Sequence, residues 1–363
     1  MTFGRSAYDL IIAGGGPAGC AAAISAKRAC PSASILLLEK GNYPRHKVCG
    51  EFVSPEALSI LYSLVGDNDL SAGSLHLTRA ELLVGRTRLE VALTPPAMSL
   101  ARYQLDALLW SAAHRAGVEC VMATATEVTR MQDGFKVCAG RNALQARAVI
   151  NATGRWSNLS ATDPSAKEKW IGLKAHFAEQ SPEPIVSLYF FSGGYCGVQP
   201  VGSGSINACA MVKTDVAKDL NTVLEQHPAL GSRSRSWTAL TETFATSPLL
   251  FRPPRALQDG MLLAGDAAGF IDPFLGDGIS LALRSGTMAG EFAAEVADGR
   301  MTQEGALAQY DSAYRRNLAP SFRRAARLRW LLTMPHLIRT PVVNLARLPG
   351  VAELVFRSTR LEA

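Results

Sequence analysis

The chain has 363 residues, of which 48% are hydrophobic and 19% charged, enough apolar sequence for a large domain with a second lobe or for two domains. This composition excludes a disordered chain, a collagen-like repeat and a disulfide-stabilised miniprotein. The net charge of +6 comes from residues 315–363, where ten Arg oppose Glu353 and Glu362 and leave the rest of the chain at −2. Because that remainder has no recognition-helix or RNA-binding signature, no nucleic acid partner is expected.

Signals for membrane insertion, export and metal binding are missing. No apolar stretch reaches the roughly 20 residues that a spanning helix needs, and the first residues lack the charged and apolar regions of a signal peptide. We therefore expect a cytoplasmic protein. The seven cysteines are scattered without a C-x-x-C pair, so neither a disulfide framework nor a metal site is predicted.

The first elements predict a parallel sheet with helices on its faces. Residues 8–13 and 34–39 are short apolar runs, and the small-residue segment 17–29 between them is typical of a helix. Continuous apolar strands joined by a helix describe a βαβ unit with a buried sheet. Further elements of this kind are predicted at 103–116 (helix), 148–151 (strand), 261–264 (strand) and 278–296 (helix).

The segments between these elements have a different pattern. They are β-rich, with alternation and with Gly, Pro or Ser turns, and they lie at 82–94, 171–177, 186–191 and 206–212. Such segments are typical of an antiparallel sheet. The pattern predicts that this sheet is inserted into a discontinuous parallel-sheet domain.

The sharpest local signal directly follows the first predicted strand. Residues 14–19 read G-G-G-P-A-G, a GxGxxG pattern that opens a helix. Gly14 permits a tight turn, Gly16 lets a pyrophosphate approach the backbone, and Gly19 lets the helix pack against the strand. Glu39 ends the second strand, where a carboxylate can accept hydrogen bonds from ribose hydroxyls. These residues predict an adenine dinucleotide site without choosing between FAD and NAD.

Two later segments make that choice. Residues 151–157 read N-A-T-G-R-W-S and residues 263–269 read L-A-G-D-A-A-G, each after a predicted strand. With the first motif they resemble, in order, the FAD-binding signature of the p-hydroxybenzoate hydroxylase superfamily: a glycine motif, a D-G-x-x-S segment and a G-D segment. One departure is Thr153, which stands where many members have the Asp of the D-G pair.

The resemblance implies which residues hold FAD. Asp266 would bind the ribitol or ribose side, and Arg102 would contact the cofactor from the start of a helix. The helix that begins near Gly276 would direct its partial positive charge at the N1–C2=O edge of the isoalloxazine and stabilise anionic reduced flavin. The predicted cofactor-binding residues are Gly14, Gly16, Ala18, Gly19, Glu39, Lys40, Arg45, Cys49, Gly50, Arg102, Gly154, Gly265, Asp266, Pro273, Gly276, Gly278 and Ile279.

The implied fold class is α/β. It comprises a discontinuous, Rossmann-like FAD-binding domain of the glutathione-reductase-like kind, an inserted antiparallel β-sheet substrate domain and a C-terminal helical tail. The predicted boundaries are 1–75, 97–160 and 255–315 for the FAD-binding domain, 76–96 and 161–254 for the substrate domain, and 316–363 for the basic helical tail.

A further segment points to one group within the superfamily. Residues 44–51 read P-R-H-K-V-C-G-E, which is similar to the K-x-C-G segment that geranylgeranyl reductases carry beside the flavin. Cys49, near the cations Arg45 and Lys47, would act as an acid or a nucleophile; the alternative is a small residue packed against the flavin ring. His46, between the two cations, is predicted to be a surface residue.

The substrate sheet offers two more candidates. The same group carries a Y-x-W-x-F-P segment over the substrate, whereas residues 195–200 here read Y-C-G-V-Q-P and lack two of its aromatics. Tyr195 would donate a hydrogen bond to a substrate oxygen or pack on the sheet. A period of two places Lys174 and His176 on one face of their strand, where His176 would either meet the substrate or make a structural hydrogen bond.

These residues predict an FAD-dependent oxidoreductase with Cys49, His176 and Tyr195 as catalytic candidates. Because the aromatic pair is missing, the main expectation is a monooxygenase that hydroxylates an aromatic or lipid-like substrate through a flavin C4a-hydroperoxide. The alternative, which the Cys49 segment favours, is a geranylgeranyl reductase-like flavin reductase that saturates a C=C bond. A halogenase is a weaker alternative because no W-x-W-x-I-P occurs, and a flavin-binding module without turnover is the reading from another class.

Expected partners follow from the same features. No second GxGxxG follows a strand, so NADPH or NADH would visit transiently as the reductant, or a separate carrier would deliver electrons. The substrate is expected to be small and hydrophobic or aromatic, free or carrier-bound. Residues 321–339 combine five Arg with apolar residues, so peripheral membrane contact competes with packing of this segment over the other domains.

Overall fold

The computed structural model describes residues 3–66, 69–70, 73–155, 159 and 170–333. Within these ranges the strands form two sheets, one of eight strands and one of nine. In chain order the strands are β1 (Ala7–Ala13), β2 (Ile35–Leu38), β3 (Phe52–Val53), β4 (Leu75–Val84), β5 (Thr87–Ser99), β6 (Glu119–Val121), β7 (Ala125–Met131), β8 (Gly134–Ala139), β9 (Asn142–Asn151), β10 (Trp170–Ala178), β11 (Ile185–Phe191), β12 (Gly194–Pro200), β13 (Ser205–Lys213), β14 (Thr238–Ala239), β15 (Phe244–Thr246), β16 (Leu257–Gln258) and β17 (Met261–Leu263).

The helices connect and cover these sheets. They are α1 (Pro17–Ala29), α2 (Pro55–Val65), α3 (Arg102–Arg115), α4 (Leu220–Leu224), α5 (Pro228–Ser234), α6 (Gly278–Ala297), α7 (Gln303–Asn317) and α8 (Ala319–Thr333). Two short 3-10 turns, Gly265–Ala267 and Pro273–Leu275, precede α6.

The first sheet has the predicted parallel core. Its strand order is β16-β17-β9-β1-β2-β6, and β1 pairs in parallel with both β2 and β9. The four residues of β2 are all buried, as a sheet covered on both faces requires. The hairpin of β7 and β8, which the sequence pattern did not predict, extends β9 in antiparallel fashion.

Helices α1 and α6 pack together because small residues face each other. A Cβ added at Gly286 would lie 2.1 Å from the carbonyl oxygen of Ala18, and one added at Gly290 would lie 2.2 Å from that of Ala22. Only glycine permits so close an approach. This packing brings the start of α6 to the glycine motif at the start of α1.

The second sheet is mostly antiparallel, with one departure from the prediction. Its order is β14-β10-β13-β12-β11-β4-β5-β3, and β4 pairs with β11 in parallel. The parallel pair arises because the hairpin of β4 and β5 belongs to a separate, earlier excursion of the chain. The segment predicted as strand at 82–94 is this hairpin, and it turns at Gly85, whose φ is +60°.

Elements at the predicted domain boundaries show two further differences. Strand β3, at the end of the K-x-C-G segment, pairs with β5 in the second sheet. Helix α2, which the sequence analysis did not predict, lies between β3 and β4 in the chain. In the predicted tail, Phe322 and Ala325 at the start of α8 are buried in the apolar cluster that contains α1 and α6, whereas residues 334–339 lie outside the described part of the chain. No helix among the described residues is long and apolar enough to cross a bilayer.

Candidate active site

A cavity of about 660 Å³ is lined by residues of both sheets. All of the predicted cofactor-binding residues except Gly19 line it, as do Cys49 and Tyr195 among the catalytic candidates. Gly19 and His176 are not among its lining residues. Segments that are far apart in the sequence therefore meet at one site.

The glycine motif takes the strand-to-helix turn that its spacing predicts. Gly14 has φ +104°, and a Cβ there would lie 2.3 Å from the carbonyl oxygen of Ala152. A Cβ at Gly19 would lie 1.7 Å from the carbonyl oxygen of Gly14, so Gly19 permits close packing instead of lining the cavity. At Gly16 the nearest atom to an added Cβ is Lys47 Nζ, at 3.8 Å, which leaves this backbone open to a ligand.

Glu39 is a buried carboxylate at the end of β2. Its Oε2 accepts from the Gly15 N–H at 2.8 Å, and its Oε1 accepts from the Gly41 N–H at 3.1 Å and from Arg45 at 2.6 Å. Burial alone would raise the pKa of Glu39, but the hydrogen bond from Arg45 and the charge of Lys47 outweigh it and lower the pKa. The carboxylate is therefore ionised and keeps lone pairs for a ribose hydroxyl.

Asp266 follows the strand β17 and has a partner that the sequence analysis missed. Arg155 Nε lies 3.4 Å from Asp266 Oδ2, and its guanidinium stacks 4.0 Å from the centroid of the Phe270 ring. The next residues of the second segment, 156–158, lie outside the described part of the chain. The G-D turn itself is fixed by the Gly265 N–H, which donates to Ser285 Oγ at 2.9 Å.

The residues present fit an extended dinucleotide. A Cβ added at Gly50, Gly154 or Gly278 would meet nothing within 4 Å, so the backbone is bare along the cavity, as at Gly16. The start of α1 offers free backbone N–H groups to phosphates, while Glu39 and Asp266 offer carboxylates to hydroxyls. FAD would be held by these groups.

Cys49 lies beside a cation, but a different one from those predicted. Arg45 is engaged by Glu39, and Lys47 Nζ lies 2.8 Å from Asp106 Oδ2. The guanidinium of Arg102 instead lies near enough to the Cys49 side chain for the two groups to interact electrostatically. The prediction that Arg45 and Lys47 act on the thiol is therefore wrong, because nearby carboxylates bind both side chains.

Asp106 fixes the orientation of the Arg102 side chain. Its Nε and Nη2 donate to the two oxygens of Asp106 at 2.8 and 3.0 Å, one turn further along α3. Burial would raise the pKa of Asp106, but the charges of Arg102 and Lys47 outweigh it and lower the pKa. Two cations thus share one fully buried carboxylate, and the bidentate geometry orients the Arg102 guanidinium beside Cys49.

Glu51 is the centre of a second buried cluster, which the sequence analysis did not include. It has φ +61° and is completely buried. Its carboxylate forms an ion pair with Lys174, meets His176 Nε2 at 2.7 Å and accepts from the Arg102 backbone N–H at 2.8 Å. Burial would raise the pKa of Glu51, but the His176 hydrogen bond and the Lys174 charge outweigh it and lower the pKa.

This cluster also fixes the backbone around Cys49. The Glu51 N–H donates to Cys49 Sγ at 3.4 Å, and Asn207 Nδ2 donates to the Cys49 carbonyl at 3.0 Å. Gln199 Nε2 donates to the Glu51 carbonyl at 2.9 Å. A buried lysine in an apolar strand needs a carboxylate partner, so Lys174 was the sequence signal that such an acid exists.

The catalytic candidates of the substrate sheet occupy different positions. Lys174 and His176 share one face of β10, as the period-two pattern predicts, and the other face joins an apolar cluster. His176 hydrogen-bonds to Glu51 and is not among the residues that line the cavity. It therefore has the structural role that was the alternative to substrate contact. Tyr195 lies in strand β12, and its ring centroid is 6.0 Å from that of Phe274 on the cavity wall.

His46 is placed differently from the prediction. It is half-buried and lines the cavity, with its ring centroid 5.0 Å from that of Phe244, 4.9 Å from that of Tyr103 and 5.2 Å from that of His176. The prediction of a surface residue is wrong because the charged neighbours in sequence gave no sign of the aromatic residues that surround it in the fold.

Comparison with known proteins places this site in a wider group. Digeranylgeranylglycerophospholipid reductase 2 from Methanopyrus kandleri is 27% identical over 341 residues, which cover 88% of this chain and 85% of that protein. Menaquinone reductase from Mycolicibacterium smegmatis is 26% identical over 374 residues, which cover 91% of this chain and 86% of that protein. The chain is a relative of the geranylgeranyl reductase-like flavoproteins. No family model matches it.

Solved structures agree on the fold. A geranylgeranyl bacteriochlorophyll reductase-like protein from Thermoplasma acidophilum aligns with TM-score 0.76 and 21% identity, over 98% of this chain and 96% of that one. The flavin-dependent brominase Bmp2 aligns with TM-score 0.81 and 20% identity, over 97% and 92%. These matches confirm the predicted fold class. The relatives that are named reductases support the prediction that the protein is an oxidoreductase.

Proposed function

We propose that the protein uses FAD to reduce a carbon–carbon double bond in an apolar, isoprenoid-like substrate. The observation that carries the proposal is Cys49, fixed in the cavity beside the Arg102 guanidinium. The relatives named above are reductases, which supports this reaction over the hydroxylation that the sequence analysis preferred.

The cavity wall from the second sheet supports an apolar substrate. Tyr195, Gly197 and Gln199 of strand β12 line the cavity. These are the three positions at which the geranylgeranyl reductases, which the chain resembles, carry aromatic residues. Replacing Gln199 by an aromatic residue would remove two buried hydrogen bonds, because its Nε2 donates to Ser99 Oγ at 2.7 Å and to the Glu51 carbonyl oxygen. The apolar lining residues of this wall and of the adjoining loop include Val186, Leu188, Met211, Phe244, Leu249 and Phe274.

The missing aromatics therefore no longer argue for hydroxylation. At position 199 the glutamine serves the buried Glu51 cluster. At position 197 the glycine lies next to Leu188, to which an added Cβ would approach within 3.2 Å. Both changes are explained by local packing and hydrogen bonding, without a change of reaction.

The chain's own groups supply the proton chemistry. When bound, reduced FAD supplies a hydride to one carbon of the double bond, and the neighbouring carbon must then take a proton. The Cys49 thiol is the proton donor, and the Arg102 guanidinium together with the Glu51 N–H stabilises the thiolate that remains. Solvent returns the proton to Cys49, so the thiol is regenerated in each turnover.

The electron donor is part of the same proposal. NADPH or NADH would reduce the flavin in a transient encounter, since the sequence contains a single strand-linked GxGxxG motif. Stopped-flow mixing of the oxidised, FAD-loaded protein with each nucleotide tests this. Slow bleaching with both would assign the task to a separate carrier.

The test of the main reaction separates it from hydroxylation. Protein reduced without oxygen is mixed with a prenylated naphthoquinone in deuterated buffer, and the lipid product is analysed by mass spectrometry. Double-bond reduction predicts a saturated side chain that carries solvent deuterium on the reduced carbons. Hydroxylation predicts no product until oxygen is added and then gain of an oxygen atom, which would overturn the proposal.

A further inference from the structure

We propose that His46 donates a hydrogen bond from Nε2 to an uncharged acceptor oxygen of the substrate, such as a ring carbonyl. This inference deepens the proposed function, on which it rests, because it names the class of substrate head that the cavity accepts. It assigns a binding role to a residue that the sequence analysis placed on the surface.

The two ring nitrogens of His46 have different environments. Nδ1 is buried and has no hydrogen-bond partner among the described residues. Nε2 is not among the buried atoms without a partner, and no described residue hydrogen-bonds to it. Because His46 lines the cavity, a ligand can reach this nitrogen. A buried N–H without an acceptor is more costly than a buried lone pair, so the ring proton resides on Nε2, where a ligand can accept it.

The surroundings keep this imidazole neutral. A second proton would have to sit on buried Nδ1, which has no acceptor. Burial and the nearby Lys174 and His176 side chains lower the pKa of His46, against a smaller opposite effect of Glu51. The other neighbouring side chains, Phe244 and Tyr103, carry no negative charge that would stabilise a protonated His46. His46 is therefore a neutral donor at physiological pH and matches a neutral acceptor.

Among the described residues, the cavity offers no unpaired cation that would favour an anionic substrate head near His46. None of the described lining residues in the strands of the second sheet, β3 to β5 and β10 to β15, is charged. On the other side, Arg45, Lys47, Arg102 and Arg155 each already face a carboxylate, and Lys40 is exposed next to Glu39. A phosphate head at the wall formed by the second sheet would find no cation there, and burying it unpaired would be strongly unfavourable.

The test compares three probes that share one prenyl chain: a prenylated naphthoquinone, the prenyl hydrocarbon without oxygen, and the prenyl phosphate. Binding to the oxidised, FAD-loaded protein is measured by calorimetry, which requires no turnover. We expect the quinone to bind most tightly. His46→Phe, which keeps the stack on Phe244, should weaken quinone binding by about 3- to 10-fold, the value of one neutral hydrogen bond, and leave hydrocarbon binding unchanged.

Two companion variants complete the design. His46→Gln keeps a donor near the Nε2 position and should restore most of the quinone affinity. Tyr103→Phe keeps the ring beside His46, does not alter a cavity-lining residue, and should change nothing. Equal weakening for quinone and hydrocarbon, or tightest binding of the phosphate, would overturn the inference.

A further outcome would reassign His46 to the cofactor. If His46→Phe shifts the visible spectrum of the ligand-free FAD-loaded protein, the Nε2 donor serves FAD and the inference fails. Because the titration uses oxidised protein, it is independent of the proposed reaction. A quinone that binds through His46 but is never reduced would contradict the proposed function and leave the binding role intact.

Discussion

Arg102 shows how a single side chain can serve two segments of a site. Its guanidinium contacts Cys49, its backbone N–H binds Glu51, and Asp106 fixes its orientation. Burial would lower the pKa of Arg102, but Asp106 and Cys49 outweigh this and raise it, so the cation persists at every working pH. The Cys49 thiol therefore faces a permanent positive charge.

Cys49→Ser tests the proton-donor role. The hydroxyl is similar in shape but far less acidic, so FAD binding should be unchanged and substrate-dependent flavin reoxidation should slow by roughly 10²–10⁴-fold. Stopped-flow absorbance measures this rate. Cys138→Ser, on β8 outside the cavity, is the matched control. Full activity of the Cys49→Ser variant would leave Cys49 as a packing residue.

Asp266→Ala tests the G-D assignment. The variant removes a carboxylate that would accept hydrogen bonds from the cofactor and leaves Arg155 without its partner, so FAD binding should weaken by roughly 1.5–3 kcal/mol. Fluorescence titration of the cofactor-free protein with FAD measures the change. Asp298→Ala, an exposed carboxylate after α6, should have no effect. Unchanged affinity in Asp266→Ala would mean that Asp266 does not touch FAD.

At the level of elements, the pairing of α1 with α6 decides whether the cofactor site exists. Gly286 and Gly290 lie against the carbonyl oxygens of α1, and an added methyl group would force the two helices apart. The start of α6, with Gly278 and Ile279, would then move away from the glycine motif. Helix packing and cofactor binding are therefore coupled.

Gly286→Ala tests this coupling. A helix interior normally gains from Ala, yet here the overlap with Ala18 should lower the unfolding free energy by about 1–3 kcal/mol and weaken FAD binding. Thermal unfolding with and without FAD gives both effects. Gly305→Ala in α7 is the control, since its Cβ would meet only side chains at 3.2 Å. A Gly286→Ala protein as stable as the parent would show that the helices can separate freely.

The sequence predicted these elements well where local pattern decides and poorly where tertiary contacts decide. β1, β2 and α1 followed from continuous apolar runs and a small-residue helix, with bounds that differ by a residue at most. The parallel pairing of β4 with β11 and the stacking of Phe244 on His46 join distant segments, and local pattern carries no record of them. The cation at Cys49 was misassigned for the same reason.

For the whole molecule, the Glu51–Lys174 ion pair joins two distant parts of the second sheet, the edge strand β3 and the strand β10 near the opposite edge. Glu51 precedes β3, Lys174 lies in β10, and neither is exposed. A buried pair contributes little when both members are replaced together but is costly to break on one side. The contact therefore holds the segment that carries Cys49 against strand β10.

A double-mutant cycle tests this. Glu51→Gln leaves the Lys174 ammonium buried without a counter-ion and should cost about 3–5 kcal/mol. Adding Lys174→Met should recover part of that loss. Urea unfolding of the parent, both single variants and the double variant gives the coupling energy. Additive losses would mean that the two charges do not interact in solution.

The same pair predicts the response to acid. Because the folded state lowers the pKa of Glu51, its stabilisation is complete above the unfolded-state value of about 4.3 and is lost as the pH falls through the lower folded value. Urea unfolding from pH 7 downward should show the parent losing stability more steeply than the Glu51→Gln/Lys174→Met double variant. Parallel pH curves would contradict the assignment.

The discontinuity of the first sheet has a consequence for synthesis on the ribosome. The glycine motif at the start of α1 emerges early, but Gly265, Asp266 and the start of α6, which complete the cavity with it, follow about 250 residues later, or roughly 10–50 s at ordinary elongation rates. Throughout that interval the apolar face of α1 has no α6 to cover it. Nascent chains must therefore wait, exposed to chaperones and proteases, before they can acquire FAD.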